Sequence, residues 1–496
     1  MKWRALVSRI PALVKTLSPV VLVVDIVIRV VAVIAVPRNR RPTSAMAWLM
    51  AIFIAPIPGS LLFGLFGSSK LPRDRRNRQR EINDLILEHT QGIDEEIVDD
   101  PRPPWFASVA QLNRTLGAMP LLEGNAARLY PHYEGSIAAM TDAVDAARRY
   151  VHVEFYILAR DKTTIGFFDA LKRASERGVQ VRVLFDHWAT ITNPEGRNTR
   201  RWLQENSIRF EEMLPFHPTK GMWRRPDLRN HRKIVVVDGK IAFTGSQNMI
   251  DSSYNKKGNI RRGLQWVDLM VRLEGPAAIG LDALFITDWY SETDELPDVS
   301  DVDEMTVDHS DPGTFECQVV PSGPGFDGEN NLKLFNALVY SAQKRLIIAS
   351  PYFVPDDSML YAITTAAERG VDVQLFACEV ADQFLVYHAQ RSYYEALLRA
   401  GVRIFLYEKP IVLHSKHFTI DDQVAVIGSS NMDMRSFSLN FEVSLLVHGR
   451  EFVDDLRHIE NDYRSRSKEV LLEEWLQRRV PVQVLDNLAR LTATVQ

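Results

Sequence analysis

One pattern of polar residues occurs twice in this 496-residue chain at identical spacing, and no other feature restricts the fold as strongly. The first copy, HRKIVVVDGKIAFTGSQN, spans His231 to Asn248, and the second, HSKHFTIDDQVAVIGSSN, spans His414 to Asn431. His231, Lys233, Asp238, Gly245, Ser246 and Asn248 return as His414, Lys416, Asp421, Gly428, Ser429 and Asn431, while the residues between them drift. In the first copy Ile234 to Val237 reads as a buried strand, Asp238-Gly239 as a tight turn and Ile241 to Thr244 as the returning strand. Side chains alternate faces along a strand, so His231 and Lys233 point the same way. Pairing Val237 with Lys240 across a two-residue turn places His231 opposite Ser246. The same count around Asp421-Asp422 places His414 opposite Ser429. Each hairpin then gathers a histidine, a lysine, a serine and an asparagine at its open end. One such hairpin alone reads as a sheet edge with a solvated tip. A duplication that retains the polar residues while the apolar ones drift does not.

The repeat extends upstream. ASERGVQVRVLF (Ala174 to Phe185) resembles AAERGVDVQLFA (Ala366 to Ala377), each reading as a helix closed by glycine and followed by a buried strand. The chain is long enough for two domains with a large core. The net charge of −4 gives no global nucleic-acid footprint, so no nucleic-acid partner is expected. Cys317 and Cys378 lie in strand-like apolar runs and read as small buried hydrophobes. Neither a disulfide framework nor a zinc site is suggested, and the Walker A and dinucleotide glycine patterns are absent.

The N-terminal region, 1–80, differs from the rest. Its first apolar run, Leu17 to Val36, and its second, Thr43 to Gly67, are each long enough to cross a bilayer. Asp25 and Arg29 stand four apart in the first run, on one helical face where they can pair. Pro56, Pro58 and Gly59 interrupt the second, which reads as a kinked span or a helix that dips in and returns. A cleaved signal peptide fits the first run poorly, because it is long and lacks a small-residue cleavage site. A buried soluble hairpin is the other alternative. Basic residues flank the pair on both outer sides (Lys2, Arg4, Arg9, Lys15; Lys70, Arg73, Arg75, Arg76, Arg78, Arg80) and outnumber Arg38, Arg40 and Arg41 between them. That bias favours a two-helix, multi-pass membrane anchor with the remainder of the chain cytoplasmic. The flanking arginines are also placed to grip anionic headgroups. Residues 81–104 read as a helix and an acidic, prolyl linker. A first domain is expected over 105–300 and a second over 315–496, joined by the acidic connector Asp294 to Gly313.

His-x-Lys-x4-Asp-x6-Gly-Ser-x-Asn, present twice, resembles the signature of the phospholipase D superfamily. RNHRKIVVVDG (Arg229 to Gly239) and SPYFVPD (Ser350 to Asp356), behind an apolar N-terminus, are similar to its bacterial cardiolipin synthase branch. The resemblance implies two related α/β domains packed with pseudo-two-fold symmetry, both motifs meeting at one site. It implies a phosphatidyl transferase that makes cardiolipin and glycerol from two phosphatidylglycerol molecules at a bacterial cell membrane. His231 becomes the nucleophile and His414 the acid and base. An acidic residue downstream of each motif orients a histidine: Glu442 in NFEVSLLV matches, and Asp268 in QWVDLMV is the counterpart, displaced by the extra residues NKKGNIRRG.

The residue types suit a phosphodiester, whose anionic oxygens repel nucleophiles. Lys233, Lys416, Asn248 and Asn431 neutralise and hydrogen-bond those oxygens as charge develops, and Ser246 and Ser429 add hydrogen bonds. No metal and no cofactor are then required. One imidazole attacks phosphorus and the other protonates the leaving alkoxide. Asp238 and Asp421 share the motif but sit at the turn ends, where support of the hairpin is the expected role. Tyr156 and Tyr352 fall at corresponding strand ends, as site lining or as core. His417 faces away from His414, and His217 and His388 have no repeat partner, so packing and ordinary polar roles are expected. A phospholipase D-type hydrolase or headgroup exchanger uses the same residues. A nuclease lacks the expected basic bias, and a silent membrane scaffold would not keep both motifs intact.

Overall fold

The computed structural model describes residues 19–38, 40–67, 71, 73–92, 102–216, 225, 227–297, 315–326, 328–380 and 382–492. Two compact units divide the chain, 1–70 and 71–496.

In the first unit, α1 (Pro19–Ala35), α2 (Pro42–Ile54) and α3 (Pro56–Phe66) are all apolar. The second apolar run is thus two helices. Ala55 leaves helical geometry (φ −138°, ψ 83°) because the ring of Pro56 disfavours it there, and Pro56 opens α3. At Gly59 a side chain would meet Ala51 O at 2.8 Å, so the bend needs glycine. The expected Asp25–Arg29 pair forms, with Nε to Oδ2 at 2.8 Å, and Arg29 also donates to Phe53 O at 2.9 Å. Ala32, Val36, Ala45 and Ile52 bury a small core, whereas Val23, Val31 and Ile34 are more than half exposed. Among the described residues no helix is long and apolar enough to cross a membrane. The first run is therefore a 17-residue helix, shorter than the span expected, and the second, expected as a kinked span or a helix that dips in and returns, is a broken pair.

The second unit is built on one sixteen-stranded sheet. The first half supplies β1 (Leu121–Tyr130), β2 (Tyr150–Phe155), β3 (Gln180–Asp186), β4 (Arg209–Met213), β5 (Lys233–Val237), β6 (Ile241–Gly245) and β7 (Met270–Glu274). The second supplies β8 (Phe315–Ser322), β9 (Arg345–Ala349), β10 (Asp372–Cys378), β11 (Arg403–Tyr407), β12 (His417–Ile420), β13 (Val424–Gly428), β14 (Asn440–His448) and β15 (Ser467–Val470). Their spatial order is β15-β11-β10-β9-β12-β13-β14-β8-β1-β7-β6-β5-β2-β3-β4, with the short strand Arg229–Asn230 attached to β14. Read outward from the antiparallel β8–β1 pair, both halves run through the same sequence of equivalents, and β15 is the one addition. The repeat seen in the sequence is therefore a repeat in space.

β2, β3 and β4 are parallel, as are β9, β10 and β11, with connecting helices between them. Helices Tyr133–Ala146 and Ile165–Glu176 cover one face of the first half through Met140, Val144, Phe167 and Leu171. Helices Asn330–Ser341, Asp357–Glu368 and Phe384–Arg399 do the same for the second through Phe335, Ile363 and Leu397. On the opposite face, Pro276–Thr293 and Arg450–Ser465 pack Leu281, Leu284, Phe452 and Leu456 against strands from both halves. Each such side chain, fully buried, contributes about 1.5–3 kcal/mol relative to exposure. Helix Phe106–Gly117 precedes the first half in the chain but packs with the second, where Phe106 and Val109 join the core under helix Asn330–Ser341.

Both motif hairpins are present, with a register one residue away from the expected one. Val237 pairs with Ile241 and Ile234 with Thr244; Ile420 pairs with Val424 and His417 with Ile427. Asp238 (φ 53°) and Gly239 (φ 65°) form the turn, closed by Lys240 N–H donating to Val237 O at 3.0 Å. The ladder then resumes one residue later, so a three-residue loop replaces the two-residue turn. His231 is accordingly not opposite Ser246, nor His414 opposite Ser429.

Candidate active site

Two short parallel pairings cross from one half to the other. Arg229–Asn230 pairs with the start of β14, Asn230 opposite Phe441. Ile411–Leu413 pairs with Gln265–Val267, Leu413 opposite Val267. One residue further along each pairing, His231 reaches Glu442 and His414 reaches Asp268. His231 Nδ1–H donates to the Glu442 carboxylate at 2.9 and 3.0 Å, and His414 Nδ1–H donates to Asp268 Oδ1 at 2.7 Å. The carboxylate downstream of each motif thus serves the histidine of the other motif. The extra residues before Asp268 coil into helix Lys257–Arg262 and leave the crossing strand intact.

The serines complete the crossing. Ser246 Oγ donates to Asp268 Oδ1 at 2.6 Å and accepts from Leu269 N at 2.9 Å. Ser429 Oγ donates to Glu442 Oε2 at 2.5 Å and accepts from Val443 N at 2.9 Å. The glycine before each serine permits this approach. A side chain at Gly245 would meet Leu269 O at 2.4 Å, and one at Gly428 would meet Val443 O at 2.3 Å. With Nδ1 committed to a carboxylate, each imidazole presents Nε2 for chemistry.

Lys233 and Lys416 are buried and curl back onto their own motifs, Lys233 Nζ donating to His231 O and Lys416 Nζ to His414 O at 2.8 Å. Burial pushes the Lys233 ammonium down to about 7 and that of Lys416 to about 8. Burial, then Lys233 and Lys416, hold His231 well below the usual imidazole range. Burial and Lys416 bring His414 down to about 4 against the pull of Asp268. Each lysine acts on both histidines, so the two hairpin ends share one electrostatic site. Burial pushes Glu442 up to about 7. Burial also opposes ionisation of Asp268, yet His414, Lys416 and the Ser246 hydroxyl hold its carboxyl below the usual range. The two pairs are alike in geometry and unlike in charge.

Asn248 is engaged at both ends, Nδ2 donating to Tyr254 OH at 2.9 Å and Oδ1 accepting from Ile157 N at 3.2 Å. Asn431 Oδ1 is buried without a hydrogen-bond partner among the described residues. Tyr156 stands edge-on to His231 with ring centroids 4.9 Å apart, and Tyr352 edge-on to His414 at 6.2 Å, so both line the site. Asp238 accepts from the backbone N–H groups of Arg148, Arg149 and Tyr150 at 2.8–2.9 Å. Asp421 does the same for Lys344 and Arg345 at 2.7 and 2.9 Å. Both sit at the far ends of their hairpins, five residues and roughly 16 Å of strand from the motif lysines. They anchor the hairpins and do not reach the histidines. His417 is buried against Ser415 (2.7 Å), and His388 binds Asp486 (2.7 Å), ordinary polar roles both. His217 and most of the acidic connector lie outside the described residues.

The sequence reading missed two arginines. Arg232 is fully buried, donating to Glu442 O at 3.1 Å and pairing with Asp288. Strand alternation places it on the face opposite His231 and Lys233, and once that face is covered its charge needs a buried acid. Arg435, half-buried, donates to Asp227 O at 2.8 Å, and its charge contributes to lowering His231. No repeated position marks it.

The family model described as cardiolipin synthase, PLD-like domain, matches residues 140–261 and 336–462, one match around each motif. Cardiolipin synthase A of Proteus mirabilis (strain HI4320) is 35% identical over 460 residues, 91% of this chain and 92% of that one. Cardiolipin synthase A of Pectobacterium carotovorum subsp. carotovorum (strain PC1) is 33% identical over 461 residues, with the same shares covered. Among solved structures, phosphatidylserine synthase from Haemophilus influenzae Rd KW20 aligns with a TM-score of 0.59 at 16% identity, over 78% of this chain and 100% of that one, a likeness of fold. With one family match around each motif copy and relatives aligned along nine-tenths of its length, the chain belongs to the cardiolipin synthase family of PLD-like domain proteins.

Proposed function

We propose that this chain is a phosphatidyl transferase that makes cardiolipin and glycerol from two phosphatidylglycerol molecules. The names of its relatives support the reaction, and the crosswise histidine–carboxylate pairs carry the mechanism. Lys233, Lys416 and Asn431 receive the non-bridging oxygens of the donor phosphodiester and stabilise the charge that builds on them. His231, neutral, attacks phosphorus through Nε2. The arriving phosphodiester anion favours protonation of His414, which Asp268 stabilises as imidazolium. His414 gives that proton to the departing glycerol oxygen. The phosphohistidine is then attacked by a hydroxyl of the second phosphatidylglycerol, with His414 now taking its proton. The imidazole of His231 leaves unchanged.

A site enclosed enough to shield the phosphohistidine from water favours the alcohol over hydrolysis. Two lipid substrates place the reaction at a bacterial cell membrane. The exposed apolar side chains of α1 and the basic flanks of the first unit suit attachment to the bilayer, with the catalytic halves on the cytoplasmic side. The test is incubation of the purified full-length protein with phosphatidylglycerol vesicles, followed by separation of the lipids. Cardiolipin and glycerol in equal amounts are expected. Phosphatidate as the main product would replace the transferase with a hydrolase, and no turnover would refute both.

A further inference from the structure

Pseudo-symmetry allows the two sides of the site to be compared, and their surroundings differ in charge. Beside His231 stands Tyr156, whose ring centroid is 5.7 Å from Lys233 Nζ. Arg229 lies there too but is paired with Asp186 at 3.1 Å, which leaves Arg435 as the additional cation acting on Tyr156. Beside His414 stand two tyrosines, Tyr352 and Tyr254, edge-on with ring centroids 6.2 and 6.4 Å away. Tyr352 OH donates to Asp382 Oδ1 at 2.8 Å. Tyr254 OH accepts from Asn248, which leaves its own proton to be donated. Asp382 is half-buried and forms no salt bridge among the described residues, so its second oxygen is available as an acceptor.

A carboxylate without a cation is a poor neighbour for a phosphate and a good one for hydroxyl groups, which donate charge-assisted hydrogen bonds to it. Two phenol groups beside it supply further donors and acceptors. We infer that Asp382, Tyr352 and Tyr254 form a polyol-binding subsite on the His414 side of the site. It takes the glycerol of the leaving group and then the terminal glycerol of the acceptor. The inference rests on the transferase reading above and specifies which alcohol that reaction accepts. In the second step one hydroxyl of the bound polyol forms the new O–P bond. Its proton passes to His414 Nε2. The P–N bond to His231 breaks, and its electron pair returns to the imidazole. A second hydroxyl of the same polyol stays on Asp382 and fixes the orientation.

The test is a competition between acceptors. Full-length enzyme in phosphatidylglycerol vesicles is given deuterated glycerol and 1-propanol at equal concentration, and mass spectrometry reads deuterated phosphatidylglycerol against phosphatidylpropanol. This ratio does not depend on how much enzyme is folded. The unsubstituted enzyme is expected to favour glycerol. Asp382→Ala lowers the ratio on the order of ten- to a hundredfold, the worth of a hydrogen bond to a charged group. Asp382→Asn, which still accepts, and Tyr352→Phe, which loses the orienting hydroxyl, fall between, and they decide the matter if Asp382→Ala does not fold. Ratios within about twofold of the unsubstituted enzyme in the folded variants would overturn the subsite, being too small for a lost hydrogen bond. In a parallel competition of glycerol with ethanolamine, a preference for ethanolamine would overturn its polyol character in favour of an ammonium site. Absence of any phosphatidyl alcohol from the unsubstituted enzyme would instead overturn the transferase reading.

Discussion

Asp268→Asn isolates the crosswise pairing. Asp268 Oδ1 accepts from His414 Nδ1–H at 2.7 Å and from Ser246 Oγ at 2.6 Å. The substitution keeps the shape and an acceptor oxygen but removes the charge that sustains an imidazolium at His414. A hydrogen bond to a charged group contributes about 1.5–3 kcal/mol and one between neutral groups about 0.5–1.5 kcal/mol, so the imidazolium loses ~1–2 kcal/mol. At about 1.4 kcal/mol per factor of ten, proton delivery slows roughly five- to thirtyfold. The full worth of a general acid, about a hundred- to ten-thousandfold, bounds the effect from above. Asp268 is held below the usual carboxylate range, so the effect persists across neutral pH. The assay compares phosphatidylglycerol, whose glycerol must be protonated, with a nitrophenyl phosphodiester, whose leaving group departs as the anion. Asp268→Asn should slow the first by the stated factor and the second by less than about threefold. Glu442→Gln should slow both, because Glu442 orients His231. Added to His414→Ala, Asp268→Asn should cost little more, since it acts through that histidine. Equal slowing of both substrates by Asp268→Asn, or full additivity with His414→Ala, would refute the assignment.

Further outcomes follow from the same geometry. Lys233 and Lys416 are ammonium ions below about 7 and 8 and lose that charge above, so kcat/KM for an anionic lipid should fall as pH rises through this interval. Thermal stability should rise over the same interval up to about pH 9, because the unfolded chain then binds lysine protons that the folded one has released. Gly428→Ala drives a methyl group to within 2.3 Å of Val443 O, and should lower the thermal midpoint by the equivalent of about 1–3 kcal/mol while displacing Ser429 from Glu442. Asp421→Ala strands the N–H groups of Lys344 and Arg345 and should cost about 1–3 kcal/mol in denaturant titrations, yet leave turnover per folded molecule nearly unchanged. Exhaustive chelation should leave transfer intact, since two lysines supply the charge stabilisation; loss of activity in EDTA that one divalent ion restores would refute this.

The duplicated hairpins, their polar ends and the two-half organisation were legible because spacing and alternation record them directly. The register was not, because it depends on whether Asp238 and Gly239 close a plain turn or one followed by an extra residue, and both fit the same letters. The partner of each histidine was half legible. Glu442 and Asp268 stood out as acids downstream of the motifs, but their exchange between halves depends on the strands Arg229–Asn230 and Ile411–Leu413, two and three residues long. Such short pairings leave no periodicity. The break at Ala55 was visible in Pro56, whereas the burial of Arg232 needed the fold, since only the packed sheet shows that the face opposite His231 is closed.

The exchange of carboxylates between halves also bears on ancestry. Each histidine takes its acid from the other half, so a single half holds neither pair. Two identical copies related by a two-fold axis would build both pairs at once, which makes a self-associating half-length forebear complete from the start. What such a homodimer lacks is direction, because it receives a phosphodiester equally well either way round. Fusion into one chain gives each copy its own inheritance. Aspartate stands where its counterpart has glutamate, and one side gains Asp382 while the other gains Arg435. Those divergent positions are where a symmetric parent would have acquired a donor side and an acceptor side.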